Sequence, residues 1–530
     1  MEWVFQERRR GETHSANVTG EFFRSGGIVY SLVRESIQNS LDARKSDENP
    51  VEVSFILRKA KSGKSLFESL TGQEKQKHFR SSGLEIDEGD KSVWLIVEDR
   101  NTSGLKGDPA VDEEDDPEND FYYFWRNEGI SKKREGMLGS WGLGKTVYPA
   151  SSQCHIVFGH SLRNDNPLSV FMGRSLLPLR TVGGKEYKPD SFYGVRESDE
   201  SLLVLPEEDQ WCQPLKDLGI TREKGDIGLS VMIPAPVPEL KGVDIMRQVE
   251  DQFFHPIVCG SLVVYVEDEV RGDVSRTRID RAWMLEKAAQ GDDVAFAHKV
   301  DLSRRLHAGE FHEVRLPLIE RRKPDWSGRL DKVDREDVLD RIESGEVVKL
   351  IVELTLKFRN TGMMTVSELW FVLAKSDSMG VDCLRGGLPL PNAVSGKIQS
   401  CYCQLHPQGR LAAMLRDAEN PSHKSWEAGK DLTGKYIWAK ETVQFVKSTA
   451  NKVGNWLYEK PVRRHDSLLK DLFPFETDCH SGSGAGQGKG KGKGKGKGES
   501  RTGNAPHGPI DIEVVQPDDF DVSKIRGGFR

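Results

Sequence analysis

Apolar residues recur along this chain at two spacings, and the switches between the spacings mark out the elements it predicts. Residues 31–44 read SLVRESIQNSLDAR and follow the helical spacing. On a helix of 3.6 residues per turn, Tyr30, Val33, Ile37 and Leu41 fall on one side, and Glu35, Asn39 and Asp42 on the other. Residues 93–99, VWLIVED, are a short apolar run closed by an acid, the pattern of a buried strand that delivers Asp99 to its end. Val51–Leu57 alternates as a strand does, and further strands are expected near 154–159, 168–172 and 228–234. A sheet interleaved with helices predicts an α/β N-terminal unit.

A second unit is expected over 237–480. VDIMRQVEDQFFHPIVCG reads as its helix and SLVVYVEDE as a strand. Leu350, Val352, Leu354, Leu356 and Phe358 alternate with Lys349, Glu353, Thr355 and Lys357, and ELWFVLAKS at 368–376 suits a hairpin partner. LRDAENPSHKSW at 415–426 reads as helix, proline break and aromatic anchor. Residues 1–27 form a polar arm, 481–500 a Gly/Lys low-complexity linker, and 501–530 a C-terminal segment that recovers some apolar content. Glycine without side chains to pack does not offset the entropy of ordering, so the linker is expected to be flexible.

Composition narrows the class. With 530 residues, 36% of them hydrophobic and 30% charged, the chain is a globular type too long for one core. It has no apolar stretch of 18 residues and no apolar core in MEWVFQERRR, so a cytoplasmic protein without membrane contact is expected. The seven cysteines are scattered and read as reduced thiols. A net charge of −7 argues against a globally basic nucleic-acid binder, yet five lysines of the linker alternate with glycine as a local cationic string.

Three segments carry candidate chemistry. Glu35 and Asn39 stand one helical turn apart: a carboxylate takes a proton from water, and a carboxamide oxygen holds a divalent cation. Asp99 runs into Arg100-Asn101-Thr102-Ser103-Gly104-Leu105, a turn-forming sequence. GSWGLGKT at 139–146 spaces Gly139, Gly142 and Gly144 ahead of Lys145 and Thr146, and glycines let backbone N–H groups approach phosphate oxygens.

In that order, ESIQNSLDA, VEDRNTSGL and GSWGLG resemble the three boxes of the GHKL ATPases, the superfamily of type II topoisomerase ATPase subunits, ninety-kilodalton chaperones, sensor histidine kinases, MutL and MORC proteins. The resemblance covers roughly residues 20–235. It implies a Bergerat-type α+β sandwich over 28–236 with an ATP lid at about 103–150, then a transducer-like mixed α/β region. Glu35 would be the general base, Asn39 the Mg²⁺ ligand, Asp42 a supporting residue and Asp99 the reader of the adenine amino group. Asn101 and Gly104 would shape the second box, where Asn101 stands in for the usual glycine. Gly139, Gly142, Gly144, Lys145 and Thr146 would wrap the phosphates. In GLSVMIP, Leu229 occupies the usual threonine position, and Ser230 is the candidate substitute. Arg385, in Leu384-Arg385-Gly386-Gly387, is the candidate transducer cation for the γ-phosphate. The family also implies ATP and Mg²⁺ as cofactors, ATP-dependent homodimers, other protein subunits, and a DNA-directed role in defence or repair. A chaperone-like ATPase acting on protein clients, or a nucleotide-binding subunit without turnover, is the alternative.

Overall fold

The structure is a computed structural model that describes residues 1–9, 27–111, 116, 118–126, 144–166, 168–196, 203–204, 209–223, 225–272, 274–318, 323–420 and 425–458. Gly139, Gly142, the arm from 10 to 26 and both C-terminal segments lie outside the described residues. Met1–Lys460 is one compact unit.

The first sheet is built from β1 (Glu2–Glu7), β2 (Val51–Lys59), β3 (Val93–Arg100), β4 (Ile156–Leu162), β5 (Val170–Leu176), β6 (Arg180–Val182), β7 (Lys185–Arg196), β8 (Leu203–Val204), β9 (Gly228–Pro234), β10 (Leu262–Asp268) and β11 (Val274–Ile279). Its order is β1-β7-β5-β4-β9-β3-β2-β10-β11, with β6 and β8 on β7. All pairs along this path are antiparallel except β2–β10, which runs parallel with Val51 opposite Leu262. Helices α1 (Ile28–Asp42), α2 (Lys64–Ser81), α3 (Asp120–Trp125), α4 (Val147–Ala150), α5 (Asp209–Asp217), α6 (Gly242–Val258), α7 (Arg281–Gln290) and α8 (Val294–Ala308) accompany it.

Strand alternation sends the sheet's side chains into two cores. Val53, Phe55, Leu95, Val97, Val231 and Ile233 point at α1, where Leu32, Val33 and Ile37 are fully buried. Ile56, Trp94, Ile96 and Met232 point the other way and meet Leu66, Phe67 and Leu70 of α2. On α1 the expected apolar side holds at Val33 and Ile37. Tyr30 and Leu41 are half-buried, and Leu32 takes up the space.

Helix α6 buries Ile245, Val249, Phe253, Ile257 and Val258 in the core it shares with α1, and β10 extends the first sheet beside β2. The second sheet begins at β12 (His312–Leu316), followed by β13 (Val348–Phe358), β14 (Met364–Lys375), β15 (Gly380–Arg385), β16 (Leu388–Pro389), β17 (Cys401–Pro407) and β18 (Tyr436–Ile437). Its order is β12-β13-β14-β17-β15-β16, with β18 on β13. The expected hairpin forms, Leu350 facing Phe371 and Leu354 facing Ser367. Arg385 pairs with Leu388 across a two-residue turn in which Gly386 (φ 57°) and Gly387 (φ 82°) are both left-handed. That geometry selects glycine, since a Cβ there meets the backbone.

Candidate active site

Helix α1 carries Glu35 into the interior, 8% exposed, with Asn39 and Asp42 half-buried beyond it. Facing Glu35 is the turn Gly144–Thr146, which leads into α4. A Cβ on Gly144 would overlap the Glu35 carboxylate, so only glycine allows this approach. Lys145 in the same turn donates its Nζ to the Tyr123 carbonyl of α3, and Thr146 is buried. α3 is pinned beneath by Phe121 and Trp125, both at most 2% exposed.

Tyr148 completes this side. Its ring is buried, its hydroxyl is hydrogen-bonded to the Asn39 side chain, and burial pushes its pKa up to about 12. It therefore stays a neutral phenol beside Glu35, able to donate or accept one hydrogen bond.

Asp99 stands at the end of β3, on the α1 side of the sheet. Its Oδ1 accepts from the Thr102 hydroxyl (2.8 Å) and the Leu229 N–H (2.8 Å), and its Oδ2 from the Ser40 hydroxyl (3.0 Å). An ionised carboxylate offers about four lone-pair positions, so one on Oδ2 stays open. Burial raises the Asp99 pKa, against the nearby Arg222 guanidinium and those three donors, which favour the charged form.

The turn after Asp99 is laced to the end of α1. Asn101 takes a left-handed φ of 61°, donates to the Pro50 carbonyl (2.8 Å) and accepts from the Lys45 N–H (3.0 Å). Asparagine tolerates this conformation better than most residues, so it shapes the turn as a glycine would. Gly104 is left-handed too (φ 65°), and a Cβ there would overlap the Leu162 carbonyl.

Ser230 does not join this group. It faces Glu98 across β9–β3, so it lies on the side of the sheet opposite Asp99 and donates to Glu98 Oε1 (2.9 Å). Leu229, in the threonine position, faces the site with an apolar side chain and serves Asp99 through its backbone alone. Arg385 lies in the second sheet. It ends β15, 3% exposed, and its guanidinium is held by the fully buried carboxylate of Glu419 through both Nε and Nη2 (2.9 Å for the latter). The hairpin it belongs to does reach α1: Arg34, next to Glu35, donates to the Pro389 carbonyl (3.0 Å).

The structure thus brings together Glu35, Asn39, Asp99, Gly144 and the turn of Lys145 and Thr146. Sequence reasoning missed Ser40, Thr102, Tyr148 and Arg222. A hydroxyl three residues after an aspartate is a visible turn signal, which points to Thr102. Nothing local marks Arg222. No group of three or more His, Cys, Asp or Glu able to hold a metal ion occurs among the described residues. Asn39 and Glu35 still offer the hard oxygens Mg²⁺ prefers, and that ion commonly takes one or two protein ligands with the substrate's phosphates. Among the described residues no helix is long and apolar enough to cross a membrane.

No protein-family model matches the chain, and no curated protein matches it. Solved structures that superpose on it include the ATPase region of Saccharomyces cerevisiae topoisomerase II bound to ICRF-187 (dexrazoxane), with 8% identity and a TM-score of 0.31 over 80% of this chain and 84% of that one. The ATPase and transducer domains of DNA topoisomerase II from Balamuthia mandrillaris superpose with 8% identity and a TM-score of 0.32, over 81% and 84%.

Proposed function

We propose that the chain binds ATP with Mg²⁺ and hydrolyses its terminal phosphoanhydride bond. One observation carries the reading: a buried acceptor with an open lone pair, Asp99, shares one face of the first sheet with a carboxylate, Glu35, which the glycine at 144 lets approach the backbone of a turn. Asp99 accepts from the adenine amino group. Asn39 would hold Mg²⁺, which would supply positive charge to offset that of the phosphates. Glu35 takes the proton of the attacking water, and ADP leaves as the P–O bond breaks. Tyr148 keeps the Asn39 carboxamide oriented. Arg385 has no part in this mechanism while Glu419 holds it.

The sequence resemblance supports a finer reading, in which two chains pair when ATP is bound and act within a DNA-directed assembly. Glu35→Gln tests both levels. ATP affinity should stay within a few-fold, turnover should fall about 10²-fold or more, and light scattering of the ATP-loaded variant should report a dimer. Turnover equal to wild type removes Glu35 as the base. ATP binding by a wild type that does not turn over favours the regulatory-subunit reading, and a monomer with ATP removes the pairing.

A further inference from the structure

Arg222 lies in the loop before β9, and no part of its side chain is exposed. Its Nη2 donates to the carbonyls of Asp99 (2.7 Å) and Leu229 (2.7 Å), its Nη1 to Asp226 O (3.2 Å), and its Nε to Ser230 Oγ (2.8 Å). Glu98 Oε1 stands 3.8 Å away. The guanidinium therefore clamps the two backbone segments whose side chain and N–H meet at the Asp99 carboxylate. Gly228 leaves the room for it: a Cβ there would lie 2.7 Å from both Arg222 Nη1 and Asp99 Oδ1.

We propose that Arg222 is the positioning residue for base selection, holding the Asp99–Leu229 corner so that Asp99 presents an acceptor to a 6-aminopurine. The inference rests on the ATP reading. An ionised Asp99 has only acceptors to offer, which suits the amino group of adenine. A protonated Asp99 turns one oxygen into a donor, which suits the 6-oxo group of hypoxanthine or guanine instead. Burial drives Asp99 toward the protonated form, and Arg222 is the largest opposing influence. The other ionisable groups about it do not replace that cation. Glu35 and Asp42 on α1 and Glu98 on β3 are acids, Tyr148 on α4 is a phenol, and Arg100 is paired with Asp226 (3.0 Å).

The test measures Mg²⁺-dependent binding of ATP and ITP to the full chain from pH 5.5 to 8. Wild type should prefer ATP. In Arg222→Met the ATP:ITP preference should fall about tenfold, and the pH at which ATP affinity drops should move up by about one unit, the equivalent of that factor. Asp99→Asn should lose the preference as well, and adding Arg222→Met to it should change the ratio no further. Arg222→Lys keeps a charge but not the fork, so its loss should be intermediate. If Arg222→Met does not fold, Arg222→Lys decides, and a wild-type ratio there overturns the proposal. So does an Arg222→Met protein with the wild-type ratio and pH profile. Failure of wild type to bind ATP at all overturns the ATP reading instead.

Discussion

Two groups of buried ionisable side chains flank the first sheet, and they are built differently. On the α1 side, Glu35 and Asp99 adjoin backbone at glycines 144 and 228, where a Cβ would intrude on their carboxylates. On the other side, Lys75 and His78 of α2 and Arg180 of β6 are walled in by rings. Lys75 Nζ stands 4.1 Å from the centre of the Trp3 ring and 5.2 Å from that of Phe5. His78 stacks on Phe5 at 3.7 Å. Burial depth does not separate the two groups, since Lys75 and His78 are as inaccessible as Glu35 and Asp99. What differs is the material beside the charge. Aromatic rings fill space and stabilise a base without inviting anything in, whereas bare backbone leaves room and N–H donors for a ligand.

The sharpest way to break this contrast is to fill the gap on the acid side. Gly144→Ala forces Glu35 or the turn to move, because the added methyl and the carboxylate cannot share one place. Turnover should fall about 10²-fold or more, as for loss of the base itself. Adding Glu35→Gln should cost little further, since residues acting as a unit are not additive. Steady-state ATPase assays on the single and double variants check this. Wild-type turnover in Gly144→Ala would show that the close approach has no catalytic meaning.

The elements behind this contrast were legible where their signal is local. The helical spacing of 31–44 and the apolar run of 93–99 each lie within one element, and both form where the pattern puts them. Ser230 shows the limit: its side of the sheet follows from its register opposite Glu98, which a stretch read alone does not contain. The place of β10 beside β2 is of the same kind, since the parallel pairing joins strands some two hundred residues apart. The glycine pair after Arg385 announced a turn, but the acid that holds the arginine, Glu419, lies 34 residues on. Arg222 is invisible for the same reason, since three of its four partners are backbone carbonyls.

A smaller effect, opposite in sign on the two sides, is expected from pH. Arg180 Nε donates to His78 Nδ1 (2.7 Å), which requires an unprotonated nitrogen there. Burial, Arg180 and Lys75 together lower the His78 pKa from 6.5 to about 4. The unfolded chain thus binds the proton first, so stability from this site is present above pH 6.5 and is lost as pH falls toward 4. By pH 5 the loss is at most about 2 kcal/mol. Asp99 works the other way: its raised pKa means that stability is gained as pH falls through its folded value. Denaturant unfolding at pH 7 and pH 5 should find less acid loss in His78→Gln than in wild type, and more in Asp99→Asn. Equal losses in all three would remove the contrast in charge.

The smallest effect on turnover should come from Lys75, and it bears most directly on whether the base side is inert. The amine is fully buried, donates to Ser191 Oγ (2.9 Å), and has its pKa well below the usual lysine value because burial and Arg180 oppose the charge. In the unfolded chain the same amine is protonated at pH 7, so folding must expel a proton or bury a cation. Methionine has a similar unbranched shape, suits an aromatic surround and carries no such cost, though it gives up the Ser191 bond. The Ser191 bond offsets only part of that cost, so Lys75→Met should be more stable than wild type at pH 7. The sign of the pH response is the firmer test. Wild type should gain stability as pH rises from 7 to 9, because the unfolded state holds the extra proton, and Lys75→Met should lose that part of the gain. ATP turnover should be unchanged. A large fall in turnover with stability intact would mean that the ring-walled bases serve the site across the sheet, and that burial among aromatic rings does not by itself mark a structural group.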